Sequence, residues 1–461
     1  MKRVAVTGAS GFIGRAVVQA LHARGDVVTA LVRDPTRARF PAGVDVKAYD
    51  LLSAAAAPGC FENIDAVIHL AGEPVAGRWT ESKKRAIKES RVLGTRNLLR
   101  SIAAAANGPR CLIAASAVGY YGNRADEPLT EDSAPAGDFL ARVCVEWERE
   151  TARASAAGIR TAWLRQGIVL GREGGALQAM LPPFRAGIGG PFGSGAQFVP
   201  WIHLDDDVRL FLFALDRDDI VGPVNAVAPD YATSARFANA LGHALRRPAL
   251  APAPAFALHA VLGQFASSLL ASQLVVPAKA EDGGFTFNHT SLERVLLQIL
   301  SGGSARSPAT FTHEAVQRVD APLSAVFALF SDAANLERLT PPMLGFHILT
   351  RMPVTMRRGA TIAYSLRING LRIKWKTLIA TWQPPERFVD FQLRGPYSLW
   401  RHTHSFEEVG GGVAIHDRVE YALPLPPLGN IVLPWVRASI ARIFAYRRER
   451  IAEFFKNSTR F

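Results

Sequence analysis

Gly8, Gly11 and Gly14 open the chain within VAVTGASGFIG, between a β-branched run and the helix-forming AVVQALHARG. Strand, glycine turn and helix follow one another in the order a dinucleotide site requires. Gly8 permits the tight turn, Gly11 lets the backbone approach a pyrophosphate, and Gly14 lets helix and strand pack closely. The free N–H groups at the helix N-terminus then attract the anion. About twenty residues further on, where an adenosine ribose is read, stands Arg33 rather than an acid. A guanidinium clamps phosphate in a bidentate manner, so the expected cofactor is NADP(H). Asp34 follows Arg33 and keeps NAD(H) as the less favoured alternative.

Other reactive side chains are spread along the chain. Ser116 and Tyr120 lie at and just past the end of the apolar run RCLIAASAVGYYG and are candidate catalytic hydroxyls. A packed aromatic turn is the other reading of Tyr120 and Tyr121. Glu73 and Trp79, in EPVAGRW after the apolar run DAVIHLAG, are candidate substrate contacts, and Arg91 offers positive charge. HLDDD (203–207) directly precedes the apolar VRLFLFAL. One Asp as N-cap and the others at the positive helix end explain it better than a metal cluster. His402 and His404 share one face of a strand, but no third ligand stands at metal spacing, so no metal site is expected. Cys60, Cys111 and Cys144 form no C-x-x-C pair and are odd in number, which fits reduced thiols in a cytoplasmic protein.

These residues need elements to hold them. The runs VAVTG, VVTALVRDP, DAVIHLAG, RCLIAASAVGYYG and RTAWLRQGIVLG read as strands, alternating with helices such as KKRAIKESRVLGTRNLLRSIAAAA. That alternation predicts an α/β fold, a doubly wound parallel sheet of Rossmann type with its ligand at the strands' carboxyl ends. Gly8, Arg33, Ala71, Ser116 and Gly167 lie at those ends. At 461 residues the chain is too long for one core. SGGSARSPA (301–309) reads as a linker between domains at 1–300 and 310–461. Beyond it the periodicity predicts one helix, LSAVFALFSDAANLERL, and a series of hairpin strands with turns at Asn369-Gly370 and Gly410–Gly412. A long closing helix completes an α+β helix-grip architecture. Tyr364, Trp375, Trp382, Phe391 and Trp400 are expected around its apolar cavity.

Composition narrows the partners. Lys and Arg exceed Asp and Glu by 53 to 40, a net charge of +13. The basic residues are scattered, with no long basic run or aromatic-basic motif, which argues against nucleic acid. MKR leads straight into the first strand, leaving no room for a signal peptide. The most apolar later stretch (256–276) carries His259, Gln264 and Gln273 and reads as an amphipathic helix packed on a domain, not a membrane span.

TGASGFIG, HLAGEPVAGRW, KESRVLGT, SAVGYYG, DFLARVCVEWE, RQGIVLGREGGAL and GGPFGSGAQFVPWIHLDD occur in order. Together with NAVAPDYATSARFANALGHALRRP they resemble the atypical extended short-chain dehydrogenase/reductases labelled NAD-dependent epimerase family proteins. The resemblance spans residues 1 to about 300. It implies a small substrate-binding part after the Rossmann sheet, and a small-molecule substrate near the nicotinamide. It further implies NADP(H) held by Gly8, Ser10, Gly11, Phe12, Ile13, Gly14 and Arg33, by the Leu70-Ala71-Gly72 segment, by Arg91 and by Val169. Ordinary extended members use Ser with Tyr-x-x-x-Lys. Ser116 matches the Ser, but Leu140 and Cys144 stand in the Tyr and Lys places. A free Tyr has a pKa of about 10 and needs a nearby cation to act as a base. Either the acid–base chemistry has moved elsewhere, or the protein is a non-catalytic NADP(H) sensor or carrier. PYSLWRHTHSFEEVGGGVAIHDRVEYALP is similar to the START and polyketide-cyclase superfamily of helix-grip domains, implying an apolar small ligand in the C-terminal cavity.

Overall fold

A computed structural model of the protein describes all residues except 54–58, 302–309, 369, 425–427 and 459–461. The chain divides into two compact units, Met1–Ala305 and Arg306–Phe461. All but the first residue of the expected linker falls outside the described residues.

In the first unit seven strands form one parallel sheet. Edge to edge they are Gly222–Ala226, Arg160–Gln166, Cys111–Ala117, Ala66–His69, Arg3–Thr7, Val27–Val32 and Asp45–Ala48. The chain therefore winds outward in both directions from Arg3–Thr7, and the reversal point lies between that strand and Ala66–His69. Their side chains alternate between two helical layers: Val4, Val6 and Ile68 pack beneath the helix Phe12–Ala23, whereas Ala5, Val67 and Leu112 face the opposite layer. Both faces are dry, as a parallel sheet requires.

Two elements divide where the sequence reads as continuous. RTAWLRQGIVLG is two strands, Arg160–Gln166 and Ile168–Leu170, broken at Gly167. A Cβ on Gly167 would stand 2.8 Å from the Pro200 carbonyl oxygen. The chain turns there to pair Ile168–Leu170 with Trp201–His203. The apolar stretch 256–276 is likewise not one helix. Ala255–Leu262 and Phe265–Leu270 are separate short helices, parted at Gly263 with φ of 59°. No helix among the described residues is long and apolar enough to cross a membrane.

The second unit is a seven-stranded antiparallel sheet with the long helix Leu433–Ser458. Phe311–Val319 lies at one edge and His347–Ile348 at the other. Between them the hairpin strands run in near-unbroken register, with Val409 opposite Gly412 across a two-residue turn. Gly410 and Gly411 have φ of 57° and 84°, the left-handed geometry a tight hairpin needs. Val436, Ile440 and Phe444 of the long helix pack on Val419 and Tyr421 of the sheet, and Ile451 and Phe455 pack on Val413 and Ile415. This is the expected helix-grip arrangement. Asn369 lies outside the described residues, but Ile368 pairs with Leu371 across it. The expected single helix after Phe311–Val319 is two, Leu323–Ser331 and Asn335–Arg338. Asp332 breaks it: its backbone is extended and its Oδ1 accepts the Ala334 N–H at 2.9 Å.

Candidate functional site

The glycine turn is shaped by contacts that a Cβ would destroy. Gly8 has φ of +67°, and a Cβ there would lie 2.8 Å from the Ala71 nitrogen. A Cβ on Gly14 would lie 2.2 Å from the Gly8 carbonyl oxygen, which also accepts the Gly11 N–H at 2.9 Å. Gly14 thus seats the helix on the turn itself. The helix Phe12–Ala23 begins at Gly11 with no side chain capping it, so its first N–H groups are available to an anion. Ser10 is exposed on the turn, and its carbonyl accepts Arg15 Nε at 2.9 Å.

Phe12 has a second function that sequence reading missed. Cβ atoms on Gly171 and Gly174 would fall 2.7 and 2.8 Å from its ring, and one on Gly175 would fall 3.0 Å away. The glycines of LGREGG make room for this ring, and the signal was their clustering.

Arg33 follows the strand Val27–Val32 and is exposed, with no hydrogen-bond or ion-pair partner among the described residues. Asp34 is occupied. It accepts from the Thr36 N–H at 3.0 Å and pairs with Arg37 Nε at 3.3 Å, capping the turn Pro35–Arg37. Leu70, Ala71 and Gly72 bring their backbone against Gly8 and Arg91. Arg91 lies beneath this segment, donating to the Glu73 carbonyl at 2.9 Å and to that of Ile87 at 3.2 Å. Its position suits support of the Gly72–Glu73 backbone. The Glu73 carboxylate is held by Lys83 Nζ at 2.6 Å.

A cleft of about 810 Å³ extends from this cradle. Phe12, Ile13 and Val169 line it, as do the aromatic side chains Trp79, Phe139, Phe198, Phe237 and Phe265. Trp79 packs edge-on to Phe139 at 5.1 Å and donates from its indole to the Val75 carbonyl at 2.8 Å. Among the described lining residues Asp138 is the single carboxyl and Arg142 the single guanidinium. Asp138 Oδ1 caps the helix Phe139–Ala156 by accepting the Ala141 N–H at 3.1 Å. Leu140 lines the cleft, while Cys144 is buried one turn further along the helix, beside Gly119. Burial pushes the Cys144 thiol up to about 12, reinforced by the Glu148 carboxylate, so it is neutral at physiological pH.

Ser116 and Tyr120 are not among the residues lining that cleft. The Ser116 hydroxyl is buried and donates to Glu148 Oε1 at 2.6 Å. Glu148 forms a two-pronged pair with Arg165, with Nε and Nη2 at 2.9 and 2.8 Å. Arg165 also donates to the Tyr121 hydroxyl at 2.9 Å, and its guanidinium carbon lies 3.6 Å from the Tyr120 ring centroid. Tyr121 in turn donates to Asn225 at 2.7 Å. This closed network ties three strands to the helix Phe139–Ala156. It was invisible in sequence because Ser116, Glu148 and Arg165 stand far apart along the chain.

HLDDD begins a helix, but its cap is His203 rather than an Asp. His203 Nδ1 accepts the Asp205 N–H at 3.1 Å. Asp206 accepts the N–H groups of Asn288 and His289 and pairs with Arg209. Asp207 is buried against Gln166 Nε2 at 2.6 Å, and desolvation raises its pKa to about 7.

The second unit encloses a cavity of about 470 Å³ beneath the long helix. Tyr364, Trp375 and Trp400 line it as expected. Trp382 instead packs against Phe327 and Phe388 at 5.3 and 5.7 Å, and Phe391 is buried outside the lining.

A Rossmann sheet with a glycine cradle at its reversal point, joined to a helix-grip unit, defines a nicotinamide-dinucleotide protein of the short-chain dehydrogenase class with an appended ligand-binding domain. Residues 4–226 match the NAD dependent epimerase/dehydratase family, 253–299 a domain of unknown function (DUF1731), and 310–453 the family of polyketide cyclase / dehydrase and lipid transport. The chain belongs to the NAD dependent epimerase/dehydratase family. It is 38% identical over 301 residues to the chloroplastic epimerase family protein SDR39U1 homolog of Arabidopsis thaliana, covering 64% of this chain and 86% of the relative. The crystal structure of human epimerase family protein SDR39U1 with NADPH is 37% identical, with a TM-score of 0.59 over 65% of this chain and 99% of that one. MoeE5 in complex with UDP-glucuronic acid and NAD is 25% identical, with a TM-score of 0.54 over 65% of this chain and 98% of that one.

Proposed function

We propose that the first unit is an NADP(H)-dependent oxidoreductase whose substrate is a small apolar carbonyl or hydroxyl compound. The observation that carries this reading is the cleft, whose lining includes Trp79, Phe139, Phe198, Phe237 and Phe265. A nucleotide-sugar substrate brings a pyrophosphate, which proteins hold with several cations or helix N-termini. Among the described lining residues Arg142 is the single cation, and it already donates to the Gly137 carbonyl. The NADPH-bound human relative supports NADP(H) as the nucleotide, as does Arg33, unpaired among the described residues, beside an occupied Asp34.

Bound NADPH supplies a hydride equivalent. The glycine turn and the helix N-terminus would hold its phosphates and Arg33 its 2′-phosphate, with Phe12 and Val169 lining the adjoining cleft. The aromatic wall orients an apolar substrate and excludes water. Asp138 is the carboxyl placed to exchange a proton with it. Ser116 and Tyr120 then belong to the Glu148–Arg165 network that stiffens the wall. A second reading, an NADP(H) sensor or carrier without turnover, draws on Leu140 and the neutral Cys144 at the places of the usual Tyr and Lys.

The test is NADPH oxidation by the full-length protein against aromatic and aliphatic ketones and aldehydes, beside UDP-glucose and UDP-glucuronic acid. Turnover of apolar carbonyls alone is expected, and Cys144→Ser should leave both it and NADPH binding nearly intact. Turnover of UDP-sugars would refute the substrate class. Silence on every substrate with NADPH bound would favour the carrier.

A further inference from the structure

The strand Leu399–Val409 presents His402 and His404 on one face, where both line the cavity of the second unit. The neighbouring strand Arg387–Arg394 sets Asp390 opposite His402. Asp390 Oδ2 lies 3.4 Å from His402 Nδ1 and 3.3 Å from His404 Nε2, and one ligand atom from each residue falls within 4.8 Å of the others. Imidazole nitrogens and a carboxylate oxygen tetrahedrally bound to one ion at about 2.0–2.1 Å stand about 3.3–3.4 Å apart. The spacing matches the edge of that tetrahedron.

The far nitrogens have their own partner. Asp417, on the strand Gly412–Ala422, accepts from His402 Nε2 at 2.9 Å. The same Asp417 oxygen is 2.7 Å from His404 Nδ1, off the N–H direction, so this contact is ionic rather than a directed bond. Each ring therefore turns one nitrogen to Asp390 and the other to Asp417. A carboxylate against the far nitrogen is how metal-ligating histidines are oriented. With protons alone, a hydrogen bond at all four nitrogen–carboxylate contacts would need two imidazolium rings 3.8 Å apart, centroid to centroid. A single divalent ion relieves that repulsion.

We propose that Asp390, His402 and His404 bind a divalent first-row transition ion, with Asp417 as the orienting carboxylate and the open coordination position facing the cavity. Three protein ligands with an open position is the pattern of a reactive rather than a purely structural ion. Arg447 lines the same cavity, and its buried Nε and Nη1 have no hydrogen-bond partner among the described residues. The site suits an apolar ligand with an anionic oxygen, shared between the ion and this guanidinium. The His203–Asp205–His289 group of the first unit carries no such proposal, since His203 Nδ1 is already capping a helix and Asp205 is exposed.

The test titrates Zn(II) and Co(II) into untagged, chelator-treated full-length protein. One equivalent should bind, and the cobalt form should show the intense visible bands of a four-coordinate site. His402→Ala and the isosteric Asp390→Asn should each weaken binding at least a hundredfold, and Asp417→Asn about 10–100-fold. His203→Ala should leave it unchanged. Far-ultraviolet circular dichroism and retained NADPH binding check the fold. Should His402→Ala misfold, Asp390→Asn decides. Absence of saturable binding in the wild type would overturn the proposal. So would binding that survives Asp390→Asn, or that is lost with His203→Ala.

Discussion

Gly14→Val should weaken NADPH binding about a hundredfold or more. A Cβ at this position would lie 2.2 Å from the Gly8 carbonyl oxygen and 2.9 Å from the Ala9 Cα. Those are backbone atoms, so no side chain can rotate away, and the helix must move off the turn. Overpacking of this kind costs about 1–3 kcal/mol, and valine adds two methyls to the first clash. Each 1.4 kcal/mol is about tenfold in affinity. The displaced part is the helix N-terminus, whose N–H groups must face the phosphates. Gly137→Ala is the matched control, because a Cβ there meets nothing within 4 Å. Calorimetric titration of NADPH into both variants reads the effect. A folded Gly14→Val protein with wild-type affinity would show that the nucleotide sits elsewhere.

Glu148→Ala should destabilise the first unit by about 3–5 kcal/mol, the usual consequence of leaving one member of a buried ion pair alone. The Glu148 and Arg165 side chains are 8% and 3% exposed, so little solvent can compensate the orphaned guanidinium. Ser116 would lose its carboxylate partner as well. Ser116→Ala removes one bond to the same carboxylate and should cost less, about 1.5–3 kcal/mol. Urea unfolding followed through the transition that NADPH shifts measures both. Equal stability of Glu148→Ala and wild type would contradict the network. A Ser116→Ala variant that stays stable but loses all turnover would return Ser116 to catalysis.

Local features were the legible ones. The glycine turn and the hairpin at Gly410–Gly411 each depend on backbone chemistry within a few residues, and the structure follows them closely. Gly167 reads as a strand end, but the second strand after it depends on the approach of Pro200, and Asp332 escaped notice as a break because only a side-chain turn interrupts the helix there. Contacts between distant segments were not legible. Ser116 resembles a catalytic serine in sequence, and its hydrogen bond to Glu148, on a helix beyond the next loop, could not be read there. His402 and His404 gave half a cluster. Asp390 completes it only through strand pairing, which a search for ligand spacing along one strand cannot reveal.

The most direct test of the account is a paired titration of NADPH and NADH against the full-length protein and its Arg33→Ala variant. Asp34 is held by Thr36 and Arg37, whereas Arg33 is exposed and unpaired among the described residues. A charge-assisted contact to the 2′-phosphate is worth about 1.5–3 kcal/mol, so NADPH should bind about tenfold or more tightly than NADH. The variant should lose that preference while keeping its NADH affinity. Equal affinities in the wild type, or a preference that survives Arg33→Ala, would contradict the assignment of this chain to NADP(H).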